Sequence, residues 1–281
     1  MMKSSDPPTV CLFLSSGRCG TQWLASVLER MYSDVAVVTH EPIGPAYRPR
    51  RAFRAPDATE RVLRVDAVRE HVRSIERILE TKSYVETGWP SCVAIPLFLE
   101  RFGERFKLVQ LVRDPVPTAM SLVTHGFFAG RDDDWATEAM LDPASPGVVQ
   151  TEYAERWPAL SPYEKCLFAW TEIHLYGEAL RELSVPMMTI RTEDVVGPTS
   201  ALRDLIAFLG LPDRSLPAGA AAEQIDSYRF QAPDPVDWRQ IFDHRRTVAL
   251  AATYGYAWDA LDESALERRY RGPLPDWRLS P

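Results

Sequence analysis

The sequence predicts an α/β fold in three layers. A mainly parallel central sheet is flanked by helices and entered through a strand, a phosphate loop and a helix. Three observations point to it. Short apolar runs alternate with stretches of helical periodicity along most of the chain, the pattern of parallel strands joined by crossover helices. The first junction, CLFLSSGRCGTQWLASVLERM, breaks from an apolar run into a Gly-containing turn and then into an amphipathic helix. No internal repeat or low-complexity tract competes with this pattern.

In chain order, Val10–Leu14 reads as a strand and Thr21–Met31 as a helix. Val35–Val38 is a second strand, running into Thr39-His40-Glu41-Pro42. Pro42 disfavours helix at Glu41 and leaves His40 and Glu41 at the strand's carboxyl end. A Pro- and Arg-rich loop follows. From Ala58 to Lys82, Val62, Val65, Val68, Val72, Ile75 and Leu79 fall three or four apart, which predicts one amphipathic helix. Tyr84–Thr87 is a third strand, Ile95–Phe102 a helix, and KLVQLV (Lys107–Val112) a buried strand stopped by Arg113-Asp114-Pro115. A helix over Thr118–Thr124 precedes a segment of a different kind, residues 126–162. It is rich in Asp, Pro and Gly with isolated aromatics, and is expected to be either a lid or acceptor-binding excursion or a poorly ordered segment. Then come a helix over Tyr163–Leu183, a strand over Pro186–Ile190, a helix over Ala201–Leu209, helical stretches over Ile241–Tyr254 and Glu263–Tyr270, and a Pro-rich tail. The expected organisation is a single domain over residues 1–281.

The 281 residues are 46% hydrophobic and 25% charged with a net charge of −7, so a general nucleic-acid binder is disfavoured. The four cysteines, Cys11, Cys19, Cys92 and Cys166, show no CxxC or Cys/His spacing, which argues against structural zinc and a disulfide framework. The start MMKSSDPPTV lacks the apolar run of a signal peptide, and no membrane-spanning segment is evident. The expectation is a cytoplasmic protein that binds neither membranes nor nucleic acid.

In parallel sheets, ligands bind beyond the carboxyl ends of the strands. Three features should therefore collect there: the Ser15–Thr21 loop, the His40-Glu41 pair, and Arg113. Gly17 and Gly20 let successive N–H groups turn toward one anion, Arg18 adds a fixed charge, and Thr21 and Gln22 sit where helix N–H groups are unpaired. The loop lacks the Lys-Ser/Thr pair of GxxxxGK[ST], and no obvious magnesium ligand follows, so a metal-dependent kinase is disfavoured. Ser121 lies eight residues beyond Arg113, and a guanidinium with a hydroxyl could grip a second phosphate. Taken singly, the loop also reads as an incidental βα turn and Arg113 as a structural ion-pair partner.

Together the two motifs resemble a known family. SSGRCGTQWL is similar to the 5'-phosphosulfate loop of sulfotransferases that use 3'-phosphoadenosine 5'-phosphosulfate (PAPS). LVRDPVPTAMSL is similar to their 3'-phosphate segment. The order of elements also fits from about Val10 to Leu211, including the Trp170 helix, IRTEDV and LRDLIAFLGLP. Beyond that, Trp238-Arg239 is the candidate late cofactor contact. The resemblance implies PAPS binding, with PAP as product, by Ser16, Gly17, Arg18, Cys19, Gly20, Thr21, Gln22, Trp23, Arg113 and Ser121. It further implies transfer of the sulfuryl group to a small-molecule or carbohydrate hydroxyl without a metal. Arg18 would stabilise the leaving phosphate oxygen. Cys19 stands where serine is frequent, which weakens any hydroxyl contact but not the backbone ones.

The base is open at this level. The histidine of the K-x-H strand end found in cytosolic aryl and steroid enzymes is missing, since Glu86-Thr87-Gly88 stands there. Other branches use a glutamate just after the second strand, which matches Glu41. His40 is the more natural base near neutral pH. In an extended strand end the two side chains point to opposite faces, so one of them should face the cofactor. The order of preference is Glu41, His40, then Glu86. Tyr47, Trp89, Phe127, Phe128 and the excursion are the candidate acceptor wall, with Trp135 and Trp157 either part of it or pinning the loop. The Arg48–Arg54 run is either an anion-attracting patch or a solvated face. A binding module without catalysis is the alternative from another class.

Overall fold

A computed structural model of the chain describes residues 7–197, 199–215, 234–258 and 261–270. Among these, five strands form one parallel sheet: β1 (Val10–Leu14), β2 (Ala36–His40), β3 (Ser83–Thr87), β4 (Phe106–Val112) and β5 (Met187–Arg191), in the order β2-β3-β1-β4-β5. The helices are α1 (Thr21–Tyr32), α2 (Pro49–Ala52), α3 (Ala58–Leu63), α4 (Asp66–Ile78), α5 (Ile95–Phe102), α6 (Pro115–Thr124), α7 (Pro162–Leu180), α8 (Thr192–Val195), α9 (Ser200–Leu209), α10 (Arg245–Thr253) and α11 (Glu263–Tyr270).

Alternation along β1 builds the layers. Val10, Leu12 and Leu14 join the core with α3 to α7, whereas Cys11 and Phe13 join the one with α1 and α9. A strand buried on both faces has no polar side to show, hence the uninterrupted VCLFL. The three-layer, parallel α/β architecture expected from the sequence is therefore the one observed. Gly177 in α7 lets that helix lie close on the sheet: a Cβ there would sit 2.3 Å from Gln110 Nε2 of β4.

One expected helix is two. The periodicity over Ala58–Lys82 is interrupted at Val65, which is extended (φ −89°, ψ 121°) and starts α4 after α3 has ended. The apolar spacing runs through the break because Val62, Val65 and Val68 all meet the same core. Likewise Ile241–Tyr254 is a tight turn over Trp238–Asp243 followed by α10. The Pro-rich tail lies outside the described residues.

The 126–162 excursion is packed down rather than extended. Glu172 of α7 accepts hydrogen bonds from the Val149 and Gln150 amides at 2.8–3.1 Å, and Gln150 Nε2 donates to Phe168 O at 3.2 Å. Arg50 and Arg51 of α2 pair with Asp142 and Glu138. These two members of the arginine run are partly solvated but are spent on carboxylates of the excursion, and so tie it to α2 rather than forming an open anion patch. No helix among the described residues is long and apolar enough to cross a membrane.

Candidate active site

The carboxyl ends of all five strands open onto one cleft of about 580 Å³. Gly17, Arg18, Gly20, Thr21, Gln22 and Trp23 line it from the first junction, His40 and Glu41 from β2, Trp89 after β3, Arg113 and Asp114 after β4, and Thr192 and Glu193 after β5. Three features separated by up to about a hundred residues thus share a wall, as the strand-end rule requires.

The first loop has the left-handed geometry in which successive amides can turn toward one anion. Gly17 (φ 76°), Arg18 (φ 53°) and Gly20 (φ 76°) are left-handed, so the backbone curls before α1 begins at Thr21. A side chain at Gly17 would also crowd the cleft wall, because a Cβ would sit 3.1 Å from Trp89 Cδ1. Cys19 turns inward. Its fully buried thiol donates to Gly17 O at 3.0 Å and lies 3.4 Å from Ser16 Oγ. Burial raises its pKa, which keeps it a neutral brace for the loop. Neither Ser16 nor Cys19 is part of the cleft lining.

Arg18 and Arg113 are locked together. Arg113 Nη1 donates to Arg18 O at 2.6 Å, and Arg18 Nε donates to Ser121 Oγ at 2.9 Å. The two phosphate grips expected from the sequence are thus one continuous cluster. Ser121 is 2% exposed and its hydroxyl is turned to Arg18, so it orients that guanidinium rather than lining the cleft. Trp170 Nε1 holds Arg113 O at 3.0 Å, and Thr192 Oγ1 holds Cys19 O at 2.7 Å.

His40 and Glu41 both face the cleft, against the expectation that only one would. Alternation fails because Glu41 has left the strand, at φ 48°. Its amide donates to Thr87 O and its carbonyl accepts from Gly44 N, each at 3.1 Å, which fixes the turn. Burial raises the Glu41 carboxyl from its ordinary 4.5 to about 7, against the opposing pull of the Trp89 amide and Arg18, with Glu86 adding to the rise. Burial also lowers the His40 pKa. Gly88 makes room for Glu41: a Cβ there would meet Glu41 Cγ at 2.3 Å.

Glu86 does not reach the cleft. Its side chain is 1% exposed and is held by Tyr47 OH at 3.1 Å, Tyr84 OH at 2.9 Å and His71 Nε2 at 2.8 Å. Tyr47 is removed from the acceptor wall by the same contacts, being wholly buried with its hydroxyl committed to Glu86. Of the remaining candidates, Trp89, Phe127 and Trp135 line the cleft. Phe128 packs edge-on against Trp157 at 5.5 Å, and Trp157 against Phe168 at 5.0 Å, so this pair pins the excursion. Trp238 and Arg239 are elsewhere: Trp238 is buried with Nε1 on Glu267, and Arg239 pairs with Glu263.

Five polar residues of the lining were not singled out from the sequence: Asp114, His125, Thr192, Glu193 and Arg269. Thr192 and Glu193 follow the end of β5, and the strand-end rule applied to that strand would have found them. Asp114 caps α6 through the Val116 amide at 2.8 Å and accepts from Trp258 Nε1 at 3.1 Å; burial raises its pKa. Arg269 comes from α11 and carries no local signal.

No protein-family model and no curated protein matches the chain. Solved structures do. A sulfotransferase from Alicyclobacillus acidocaldarius aligns at a TM-score of 0.52 and 17% identity over 90% of this chain and 97% of its own. The sulfotransferase domain from the curacin biosynthetic pathway aligns at a TM-score of 0.49 and 14% identity, over 90% and 99%. That from the Synechococcus PCC 7002 olefin synthase aligns at 0.46 and 14%, over 92% and 99%. The first likeness is one of fold: the chain has the sulfotransferase fold.

Proposed function

We propose that the protein is a PAPS-dependent sulfotransferase acting on a hydroxyl of a small-molecule or carbohydrate acceptor. The observation that carries this reading is the meeting, in one cleft of that fold, of a left-handed anion loop, two linked arginines and a carboxyl group raised to about 7. The residues present suit the nucleotide. Curled backbone amides and the Arg18–Arg113 pair provide fixed positive charge for two phosphates, and about 580 Å³ is in the range of small-molecule sites. When bound, PAPS would supply the sulfuryl group and PAP the leaving phosphate.

The chain's own residues then have distinct tasks. Arg18 and the loop amides hold negative charge where it accumulates on the departing oxygen, without rearranging to do so. Ser121 orients Arg18, and Arg113 fixes the loop carbonyl while presenting its guanidinium to the second phosphate. Glu41 removes the acceptor's proton, and a base titrating near 7 is matched to neutral pH. Trp89, Phe127 and Trp135 give the acceptor an aromatic wall. No metal ion, nucleic acid or membrane is needed in this reading, and a cytoplasmic location goes with it.

Thermal melts test it. PAP should raise the melting temperature whereas ATP with magnesium should not, and the reverse result would overturn both the transferase and the binding-module readings. Turnover with PAPS and a panel of alcohols and phenols then separates an enzyme from a binding module. Arg18→Ala and Arg113→Ala should each weaken PAP binding by about ten- to a hundredfold, measured by calorimetry, in keeping with loss of charge-assisted hydrogen bonds. Cys19→Ser should lower stability by about 1 kcal/mol and leave PAP affinity within twofold, since the thiol braces the loop from behind.

A further inference from the structure

His40 Nδ1 lies 2.8 Å from Thr87 O, a group that only accepts, so Nδ1 carries the hydrogen and the neutral ring keeps its lone pair on Nε2. That nitrogen is 3.8 Å from Glu41 Oε2. Two neighbours in sequence become neighbours across a cleft only because Glu41 is left-handed and because Gly88 has no Cβ where Glu41 Cγ lies. A left-handed glutamate is strained, and such strain collects at functional sites.

We propose that His40 and Glu41 form one proton-accepting pair, in which Glu41 takes the proton from the acceptor hydroxyl and His40 receives it from Glu41 at Nε2. The proposal rests on the sulfotransferase reading for the identity of the acceptor, but not for the pair itself. The bookkeeping involves protons alone. The acceptor O–H breaks, the carboxylate becomes a carboxylic acid, and transfer to Nε2 restores the carboxylate. The resulting imidazolium keeps its Nδ1–H on Thr87 O and loses the extra proton to solvent between turnovers.

The surroundings support a shared proton. Arg18 favours the deprotonated form of both members, and buried Glu86 favours the protonated form of both. The Trp89 amide faces Glu41, and the Thr87 hydroxyl stands 3.3 Å from His40 Nδ1 while donating to Thr21 O. Thr39 is turned away to Tyr84 OH, and His71 from α4 is spent on Glu86. His40 here is a positioning residue and proton relay, acting through Glu41.

Ring-nitrogen NMR of the full-length protein without nucleotide tests the pair over pH 5 to 9, with His40→Asn assigning the signals. The expected wild-type result is an Nδ1–H tautomer whose Nε2 shift shows two steps, one at the Glu41 midpoint near pH 7 and one at lower pH. Glu41→Gln should abolish the upper step. An Nε2 curve unchanged by Glu41→Gln would overturn the proposal. Asparagine at position 40 can still donate to Thr87 O, so His40→Asn should keep PAP affinity while lowering kcat about tenfold and moving the acid limb of its pH profile. An unmoved limb with full kcat would also overturn it. Should His40→Asn fail to fold, His40→Gln serves for the kinetics. Because the NMR arm uses no nucleotide, failure of sulfuryl transfer and failure of the pair are separate results.

Discussion

Replacing Glu41 by glutamine is expected to lower sulfuryl transfer by about two to four orders of magnitude, the span that general-base catalysis contributes, with PAP affinity unchanged. The same substitution should make the protein more stable, but only at high pH. In the folded chain this carboxyl titrates near 7, above its ordinary 4.5, so folding favours its protonated form. That contribution is fully present below pH 4.5 and is lost as pH rises through 7. Above 7 the wild type carries a mostly buried carboxylate that the unfolded chain would solvate, a handicap of about 3 kcal/mol at ~1.4 kcal/mol per pKa unit. Glutamine has no such handicap. Denaturant melts at pH 5 and pH 8 should therefore show a gain for the variant at pH 8 that shrinks toward zero at pH 5, while the wild-type transfer rate climbs through pH 7. Full turnover in the variant would remove Glu41 as the base.

The second large effect is expected at Gly88, which touches no ligand in this reading. Its φ of 146° is one that side chains rarely adopt, and a Cβ there would overlap Glu41 Cγ at 2.3 Å. Gly88→Ala should lose at least about a hundredfold in kcat by driving the carboxyl out of place. Strain at that φ should cost a further 1 to 3 kcal/mol, roughly, of stability. The check is a double-mutant cycle with Glu41→Gly. Removing the glutamate side chain vacates the space, so the double variant should regain part of the lost stability and none of the turnover. A Gly88→Ala protein that turns over normally would show that Glu41 is not seated against this glycine.

Elements buried on both faces were the easiest to read. VCLFL is a continuous apolar run and KLVQLV is broken only by Lys107 and the buried Gln110, because helices cover both sides of β1 and β4, and their ends locate the loop after β1 and Arg113 with them. The break between α3 and α4 was hidden, since both helices offer their apolar side to one core and the spacing carries across. Pairings across long separations were hidden for another reason: nothing local to Arg50 or Arg51 names Asp142 or Glu138 as partners. Tyr47 read as part of the acceptor wall, whereas Glu86, 39 residues on, holds its hydroxyl in the core. The shared face of His40 and Glu41 depends on a single left-handed residue, and a glutamate gives no warning of that, as glycine would have. Cys19, which looked like a weakened phosphate contact, is a packing residue seen from the wrong side.

The strand order bears on how the site comes into being. β1 is made first and lies in the middle of the sheet, yet its partners are β3, where Val10 meets Tyr84, and β4, where Val10 meets Phe106. Both pairings close long loops before they return any stability, which slows assembly. During synthesis VCLFL therefore stays an apolar strand with two bare edges until about seventy residues have followed, and with one until about a hundred have, a stretch open to chaperones and to misassociation. Its loop waits longer still. The carbonyls of Arg18 and Cys19 are held by Arg113 and Thr192, so the cradle proposed for the nucleotide would not be complete until β5 had docked.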